Sequence, residues 1–502
     1  HTAYRRQRQM CIRDRPTPCR LRRIGLYVVS LVVKKGNTSG VVVKVDPASL
    51  SRMLGEWSQP GEALPEALAD ALLDLIDAGF VPAGAVLPPQ RACAATLQVS
   101  RQTVAEAFGI LEAAGHIAAL VGSGTRVRSG RAAVSTDGRL FSFSEAAPGL
   151  IDLSTGALPA SEVVRRVRLE DHVDLDEYFD TDGYFPAGLP ILRAAIAERL
   201  TRDGVPTVPQ QIVVTNGAQH ASYLASQLLV SAGDTVLVEE PTYRGELAEL
   251  RLMGARVKSV PLTAAGLALD LVDRGLRRAP AMFYCQTSIH NPTGLTMAPG
   301  YRKALAALLD HHGVPVVEDC CSYDLTTSGL PAPMLAGEMG DDLVLTIGTL
   351  SKLFWGGLRI GWLRASSTRI RQLIERRKAE DLASPISTQV VATNLMTHMG
   401  EARQERRALL QAGRGATCEV VSDVFLAWVW TASQSGTGLW VDTHNDSSAL
   451  AEAAKRVGVR LAPGPGYSAY DGQRTMLRLP VWHEPESLEK ALRMLRRAIS
   501  DR

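Results

Sequence analysis

Lys352 lies in the run Ser351-Lys352-Leu353-Phe354-Trp355-Gly356-Gly357-Leu358-Arg359, with an arginine seven residues after it and two glycines between them. A lysine that is to form an imine with an aldehyde must be partly desolvated, so that enough of it is the neutral amine, and the glycines permit close approach of a bound group. Upstream, His290-Asn291-Pro292-Thr293-Gly294 is a turn signal behind the apolar run Ala281-Met282-Phe283-Tyr284-Cys285. Val314-Pro315-Val316-Val317-Glu318-Asp319 is a β-branched run ending in two acids, which places Asp319 at the C-terminal end of a buried strand. A carboxylate there can pair with a protonated ring nitrogen and keep a pyridine cationic, which makes it an electron sink. Asn291 can hydrogen-bond the phenolate oxygen of such a ring.

Each of these residues also has a plain structural reading. A lone lysine after a strand is usually a solvated charge, Gly217 can be an ordinary strand-to-helix turn, Tyr243 can be core, and Arg478 can sit in a surface ion pair. The order of the markers argues otherwise. From about residue 151 to the C-terminus the chain resembles the fold-type I pyridoxal-phosphate enzymes, the aspartate aminotransferase group. Asp182-Gly183-Tyr184 with Gly188-Leu189-Pro190 and Leu192-Arg193 looks like the family's early tyrosine and glycine segment, and Asn216-Gly217-Ala218-Gln219 looks like its phosphate loop. Glu240-Pro241-Thr242-Tyr243 carries the aromatic expected to stack on the ring.

The resemblance implies that Asn291, Asp319, Lys352 and Arg359 take the phenolate, ring-nitrogen, imine and phosphate roles, with Ser351 also among the cofactor-binding residues. It also implies that Arg478, in Met476-Leu477-Arg478-Leu479, holds a substrate carboxylate through its planar fork. Tyr184 is expected to reach the cofactor of a neighbouring subunit, because such sites are built at a dimer interface. One position departs from the pattern. Where the family has a tyrosine three residues after the aspartate, this chain has Ser322, followed by Tyr323. A weak substitution by serine, a shifted strand end, or a site tuned for something other than fast transamination would each account for it. The adjacent Cys320 and Cys321 read as small buried residues.

Ahead of this body, residues 46–128 have a helical pattern. Leu64, Leu68, Leu72, Leu75 and Ile76 recur at helix spacing, and Ala78-Gly79 stops that helix. A short helix is expected over 90–97. A third opens at Val99-Ser100-Arg101-Gln102-Thr103-Val104 with Ser100 as N-cap, and Val104, Ala107, Phe108 and Leu111 form its apolar face. From Gly115-His116-Ile117 to Val127, a strand, a glycine turn and a returning strand follow.

Three helices and a β-hairpin outline a winged helix-turn-helix, whose recognition helix presents its first residues to a DNA major groove. Ser100, Arg101, Gln102 and Thr103 occupy that position, and Arg91 and Arg126 are candidates for phosphate contact. The rival is a small helical docking domain with ordinary surface arginines. Leu87-Pro88-Pro89-Gln90-Arg91, Val99 to Val104 and Gly122-Ser123-Gly124-Thr125 resemble the GntR DNA-binding domain, with proline and glutamine where serine is common. A GntR-like head on an aminotransferase-like body is the layout of the MocR subfamily of bacterial regulators.

The expected fold class is therefore α/β: a winged helix-turn-helix over 45–128, a linker over 129–150, and over 151–502 a fold-type I body with a large mixed α/β domain and a smaller α+β domain. Residues 1–44 are left unassigned, as an artefactual or disordered stretch, with a start expected near Val41 to Val43. The length suits two or more domains, and the 46% apolar, 21% charged composition is that of an ordinary soluble chain. The net charge of +3 misleads, because residues 1–35 hold ten lysines and arginines against one aspartate, leaving 45 basic and 51 acidic residues elsewhere. DNA binding thus has to come from a local patch.

The apolar run over 24–33 is too short to span a bilayer and lacks a small-residue cleavage site. Seven scattered cysteines give neither a metal spacing nor a disulfide framework, so a reducing, cytoplasmic location is expected. The residues between head and body, rich in Ser, Ala, Gly and Arg, read as a flexible tether. The function expected is a homodimeric DNA-binding regulator that carries pyridoxal 5'-phosphate on Lys352 and senses the cofactor or a small amine or amino-acid effector. An active aminotransferase with an accessory head is the alternative, and a cofactor-free binding module is a third reading that the intact lysine opposes.

Overall fold

The computed structural model describes residues 43–500 apart from 59–62, 78–79, 83, 114–115, 121–123, 129–148, 168–174, 264–265, 330, 432, 434 and 471. The expectations for residues 1–42, for the glycine turn of the hairpin and for the tether lie outside the described residues. Among the described residues no helix is long and apolar enough to cross a membrane.

The head contains α1 (Pro47–Leu54), α2 (Leu64–Asp77), α3 (Gln90–Leu97), α4 (Arg101–Ala113), β1 (Ile117–Leu120) and β2 (Gly124–Val127). Helix α1 is additional to the three expected. Its signal was local: Asp46 accepts from the Ser49 N–H at 3.0 Å and Pro47 occupies the first turn, where a missing N–H costs nothing. Ser100 caps α4 as expected, accepting from the Thr103 N–H at 2.9 Å. Leu50, Leu68, Leu72, Val104, Phe108, Leu111, Ile117 and Val127 close the head's core. The apolar faces of α2 and α4 thus bury each other, each large side chain contributing roughly 1.5–3 kcal/mol.

The body is built on an eight-stranded sheet in the order Ile212–Thr215, Gly361–Arg364, Val344–Thr349, Val316–Asp319, Met282–Cys285, Thr235–Glu240, Arg256–Thr263, Gly266–Leu267. The strands from Val344–Thr349 to Arg256–Thr263 pair in parallel, while Gly361–Arg364 runs antiparallel to both its neighbours. Helices cover both faces, so the central strands read as apolar runs rather than alternating ones. Loops leaving the C-terminal ends of parallel strands converge on one crevice, the place where such sheets bind ligands. A second, four-stranded antiparallel sheet holds Val429–Trp430, Gly438–Asp442, Met476–Pro480 and Ala462–Pro463, backed by Met399–Val424 and Pro485–Ser500.

The head rests on this body. Asp70 and Asp74 of α2 pair with Arg278 at 2.7 and 3.1 Å, Asp74 also with Lys258 at 3.1 Å, and Glu66 with Arg274 at 3.6 Å. At the hairpin, His116 lies on the Tyr470 ring with centroids 3.7 Å apart. Burial, helped by the nearby Lys258 and Arg128, pushes His116 down to about 3, so it is neutral at pH 7.

Candidate functional site

The first strand of the sheet, Ile212–Thr215, turns through Asn216-Gly217 into the helix Ala218–Leu229. Gly217 has φ +82°, and a Cβ there would stand 3.0 Å from the Arg359 guanidinium, so glycine is required both for the turn and for the approach. Arg359, itself left-handed at φ 52°, donates to the Asn216 carbonyl at 2.6 Å. The Ser351 hydroxyl is buried without a hydrogen-bond partner. Open N–H groups at a helix start, an arginine and an unsatisfied hydroxyl are groups of the kind that can hold a phosphate. The side chain of Gln219 is engaged elsewhere, donating to Glu249 at 2.9 Å and accepting from Tyr243 at 3.2 Å; the backbone of Ala218 and Gln219 is what that turn offers.

Deeper in the crevice, Asp319 ends its strand and is 8% exposed. Its carboxylate accepts from the Cys321 N–H at 2.8 Å and from the Tyr284 hydroxyl at 2.7 Å, which fixes its direction. Tyr284 comes from the adjoining parallel strand, and sequence reasoning did not single it out. Asn291 is held by Gln286, whose amide bonds both its N–H and its carbonyl at 3.2 Å, while its Oδ1 is buried with no partner. The strand end is not shifted. Tyr323 is buried in the core beneath Arg199, at 5.8 Å from guanidinium to ring centre, so the hydroxyl at this turn belongs to Ser322.

Lys352 donates to the Gly156 carbonyl at 2.9 Å. Burial, reinforced by the nearby Arg478 guanidinium, lowers its ammonium to about 8, which leaves a usable fraction as the free amine at neutral pH. Arg478 is 3% exposed; its guanidinium donates to Thr437 at 2.7 Å and to the Thr155 carbonyl at 3.5 Å, and its Nε has no partner. Arg244, directly after Tyr243, joins this group by donating to the Ser154 carbonyl at 3.2 Å, and was not anticipated. Its adjacency to Tyr243, the residue expected to stack on the ring, was the available signal. Tyr184 is 57% exposed and is not brought to this chain's own crevice.

On the head, Arg91, Arg101 and Gln102 are exposed and Thr103 is half-buried. Gln102 donates to Glu106 at 2.9 Å, and the Ser100 hydroxyl is shared between its cap and Thr103. Arg126 on β2 is half-buried, with an unpartnered Nε. The first turn of α4 therefore faces outward while the acidic residues of α2 meet the body.

A sheet of this order with an amine, a carboxylate and a phosphate cradle at its strand ends defines an aminotransferase-type body. Comparison with known proteins agrees: "Aminotransferase class I and II" matches residues 148–495, and "Bacterial regulatory proteins, gntR family" matches residues 60–127. The 2-aminoadipate transaminase of Thermus thermophilus is 29% identical over 391 residues, covering 74% of this chain and 95% of that protein. The "Probable rhizopine catabolism regulatory protein MocR" of Rhizobium meliloti is 30% identical over 313 residues, 57% of this chain and 62% of that protein. Among solved structures, an alpha-aminoadipate aminotransferase from Thermus thermophilus in complex with a phosphopyridoxyl-leucine superposes with a TM-score of 0.65 at 26% identity, over 70% of this chain and 93% of that one.

The chain belongs to the class I and II aminotransferase family. With a GntR DNA-binding region in front of that body, it has the two-part layout of the MocR regulators, and its cofactor is pyridoxal 5'-phosphate. The buried, unpartnered Ser351 Oγ and Asn291 Oδ1 fit that group, since each lies where the resemblance calls for a polar contact.

Proposed function

We propose that this protein is a cytoplasmic, homodimeric transcription regulator whose body holds pyridoxal 5'-phosphate on Lys352 and senses the cofactor or an amine that exchanges with that lysine. The observation that carries the reading is Lys352 itself, a desolvated lysine with its ammonium lowered to about 8, in one chain with a head whose Arg101 and Gln102 stand exposed. When bound, the cofactor supplies an aldehyde for imine exchange and a ring that withdraws electrons. Asp319, directed by Tyr284 and the Cys321 N–H, keeps the ring nitrogen protonated. Asn291 orients the phenolate side, Tyr243 covers the ring, and Gly217, Ala218, Gln219, Ser351 and Arg359 hold the phosphate. Tyr184 reaches into the second subunit's site. Arg478 takes the effector carboxylate. On the head, Arg101, Gln102 and Thr103 address base edges, and Arg91, Ser100 and Arg126 address the backbone.

An effector amine that released Lys352 would change the charge in the crevice and would bias how two heads present themselves to paired half-sites. With Tyr323 turned into the core, Ser322 would have to serve the phenolate side in place of a tyrosine, which favours binding over rapid turnover. The alternative, a working aminotransferase, rests on the presence of the imine, ring-nitrogen and carboxylate residues together.

Purified protein incubated with the cofactor should be yellow, and Lys352→Ala colourless. In a gel shift with DNA upstream of its own gene, Arg101→Ala should weaken binding by roughly 1–3 kcal/mol, the worth of one bidentate base contact. Steady multiple turnover of an amino acid and an oxoacid, with no shift of any upstream DNA, would reject the regulator in favour of the enzyme.

A further inference from the structure

Three consecutive carbonyls, those of Ser154, Thr155 and Gly156, each accept a hydrogen bond from a different cation. Arg244 donates to the first at 3.2 Å, Arg478 to the second at 3.5 Å and Lys352 to the third at 2.9 Å. A chain advances at most about 3.6 Å per residue, so the three positive groups are gathered along a stretch of backbone no longer than ~7 Å. Among the described residues neither arginine is in an ion pair, and the Nε of Arg478 has no partner at all. Carbonyl dipoles satisfy donors without neutralising charge, so this cluster stays cationic in a partly desolvated crevice, an arrangement that invites an anion.

The cofactor accounts for only part of this charge. Lys352 is used by its aldehyde, and its phosphate belongs at the other end of the crevice with Arg359 and Ser351. Arg478 and Arg244 are left over. The Arg244 guanidinium is fixed 5.6 Å from the centre of the Tyr467 ring, and Tyr467 is itself braced edge-on by Trp440 at 5.4 Å. A second arginine held in place over an aromatic face, beside one already committed to a carboxylate, is built to receive a second anionic group. The geometry points to an effector with two carboxylates, an acidic α-amino acid or its oxoacid, with Arg478 on the α-carboxylate and Arg244 on the distal one. This rests on the reading of the crevice as a cofactor and effector site and adds the effector's chemical class.

The test is calorimetric titration of the cofactor-loaded, full-length protein with L-glutamate, L-2-aminoadipate, L-norvaline and L-norleucine, and with glutarate against butyrate. Each pair matches a ligand with a distal carboxylate to a similar chain without one. The acidic member should bind at least tenfold tighter, the scale of a hydrogen-bonded contact to a charged group. Arg244→Gln should bring that ratio to about one, and Arg244→Lys should restore part of it, because lysine keeps the charge and loses the fork. Equal affinity within the pairs for the natural protein overturns the proposal even if the variants do not fold, as does failure of all six ligands to bind. Equal ratios in the natural protein and Arg244→Gln also overturn it. Cofactor uptake and the gel shift are read separately, so loss of those would instead remove the reading beneath.

Discussion

Arg478 and Arg101 carry the same group into opposite surroundings. Arg478 is 3% exposed on a strand of the smaller sheet, fixed by a threonine hydroxyl and a backbone carbonyl, and burial pulls its guanidinium below the ordinary arginine range. Arg101 opens α4 exposed to water. In the crevice, charge is concentrated by desolvation and aimed at a small anion over a few ångströms. On the head, charge is spread over a surface and acts at the range of the Debye length. One chain therefore has a site that reads shape and charge count and another that reads a polyanion, and the two differ in what disturbs them.

Salt gives the largest expected contrast. If the basic residues of two heads, Arg91 and Arg126 among them, together neutralise about six DNA phosphates, affinity should fall on the order of 10³-fold between about 50 and 200 mM salt, through release of counterions. Effector binding to the cofactor-loaded body should change far less over the same range, since its charges are shielded from the ionic atmosphere. Fluorescence anisotropy on labelled DNA and calorimetry on the effector, run in the same buffers, measure both. A flat salt response for DNA would erase the distinction between the two regions.

A smaller effect, on the order of 10²-fold, concerns Lys352. The amine must be neutral to take up the cofactor, and a pKa lowered to about 8 from a lysine's ordinary 10.5 raises the neutral fraction at pH 7 by roughly 300-fold. Because the folded-state value is depressed, uptake by the cofactor-free protein should rise about tenfold per pH unit below 8 and level off above it. Replacing the second cause of the shift, in Arg478→Met, should move the plateau to higher pH. Stopped-flow absorbance across pH 6–10 reads this directly, and a rise continuing to pH 10 would mean that the lysine is as well solvated as those on the surface.

What the sequence disclosed follows the same division. Local signals were readable: the limits of α3, the Ser100 cap, the glycine at 217 and the strand ending at Asp319 all rest on neighbours within a few residues. Tyr284 was not readable as the partner of Asp319, because their contact joins two parallel strands 35 positions apart and depends on sheet register. Arg244 was missed for a similar reason, since the carbonyl that holds it is 90 positions away. Tyr323 looked like a displaced ring contact, and only the packing under Arg199 sends it into the core. Helix α1, by contrast, announced itself in Asp46-Pro47 and could have been found.

The docking of head on body supplies the smallest and most discriminating effect. Arg278 pairs with Asp70 at 2.7 Å and Asp74 at 3.1 Å, but its side chain is about one-third exposed and Asp74 more than half. Ion pairs so open to water contribute little individually, about 0–1 kcal/mol, and weaken further with salt. Arg278→Ala should therefore lower thermal stability by less than about 1 kcal/mol, and the difference should vanish near 0.5 M salt. The contrast is with His116, whose neutral ring is buried against Tyr470. Since its folded value of about 3 lies below the 6.5 of a free histidine, protonation favours the exposed state, and docking should weaken as pH falls through that interval. Differential scanning calorimetry of both proteins at two salt concentrations separates these contributions. A loss of several kcal/mol for Arg278→Ala that survives high salt would show the acidic face of α2 to be desolvated like the crevice, and the seam to be a rigid joint instead of an adjustable contact.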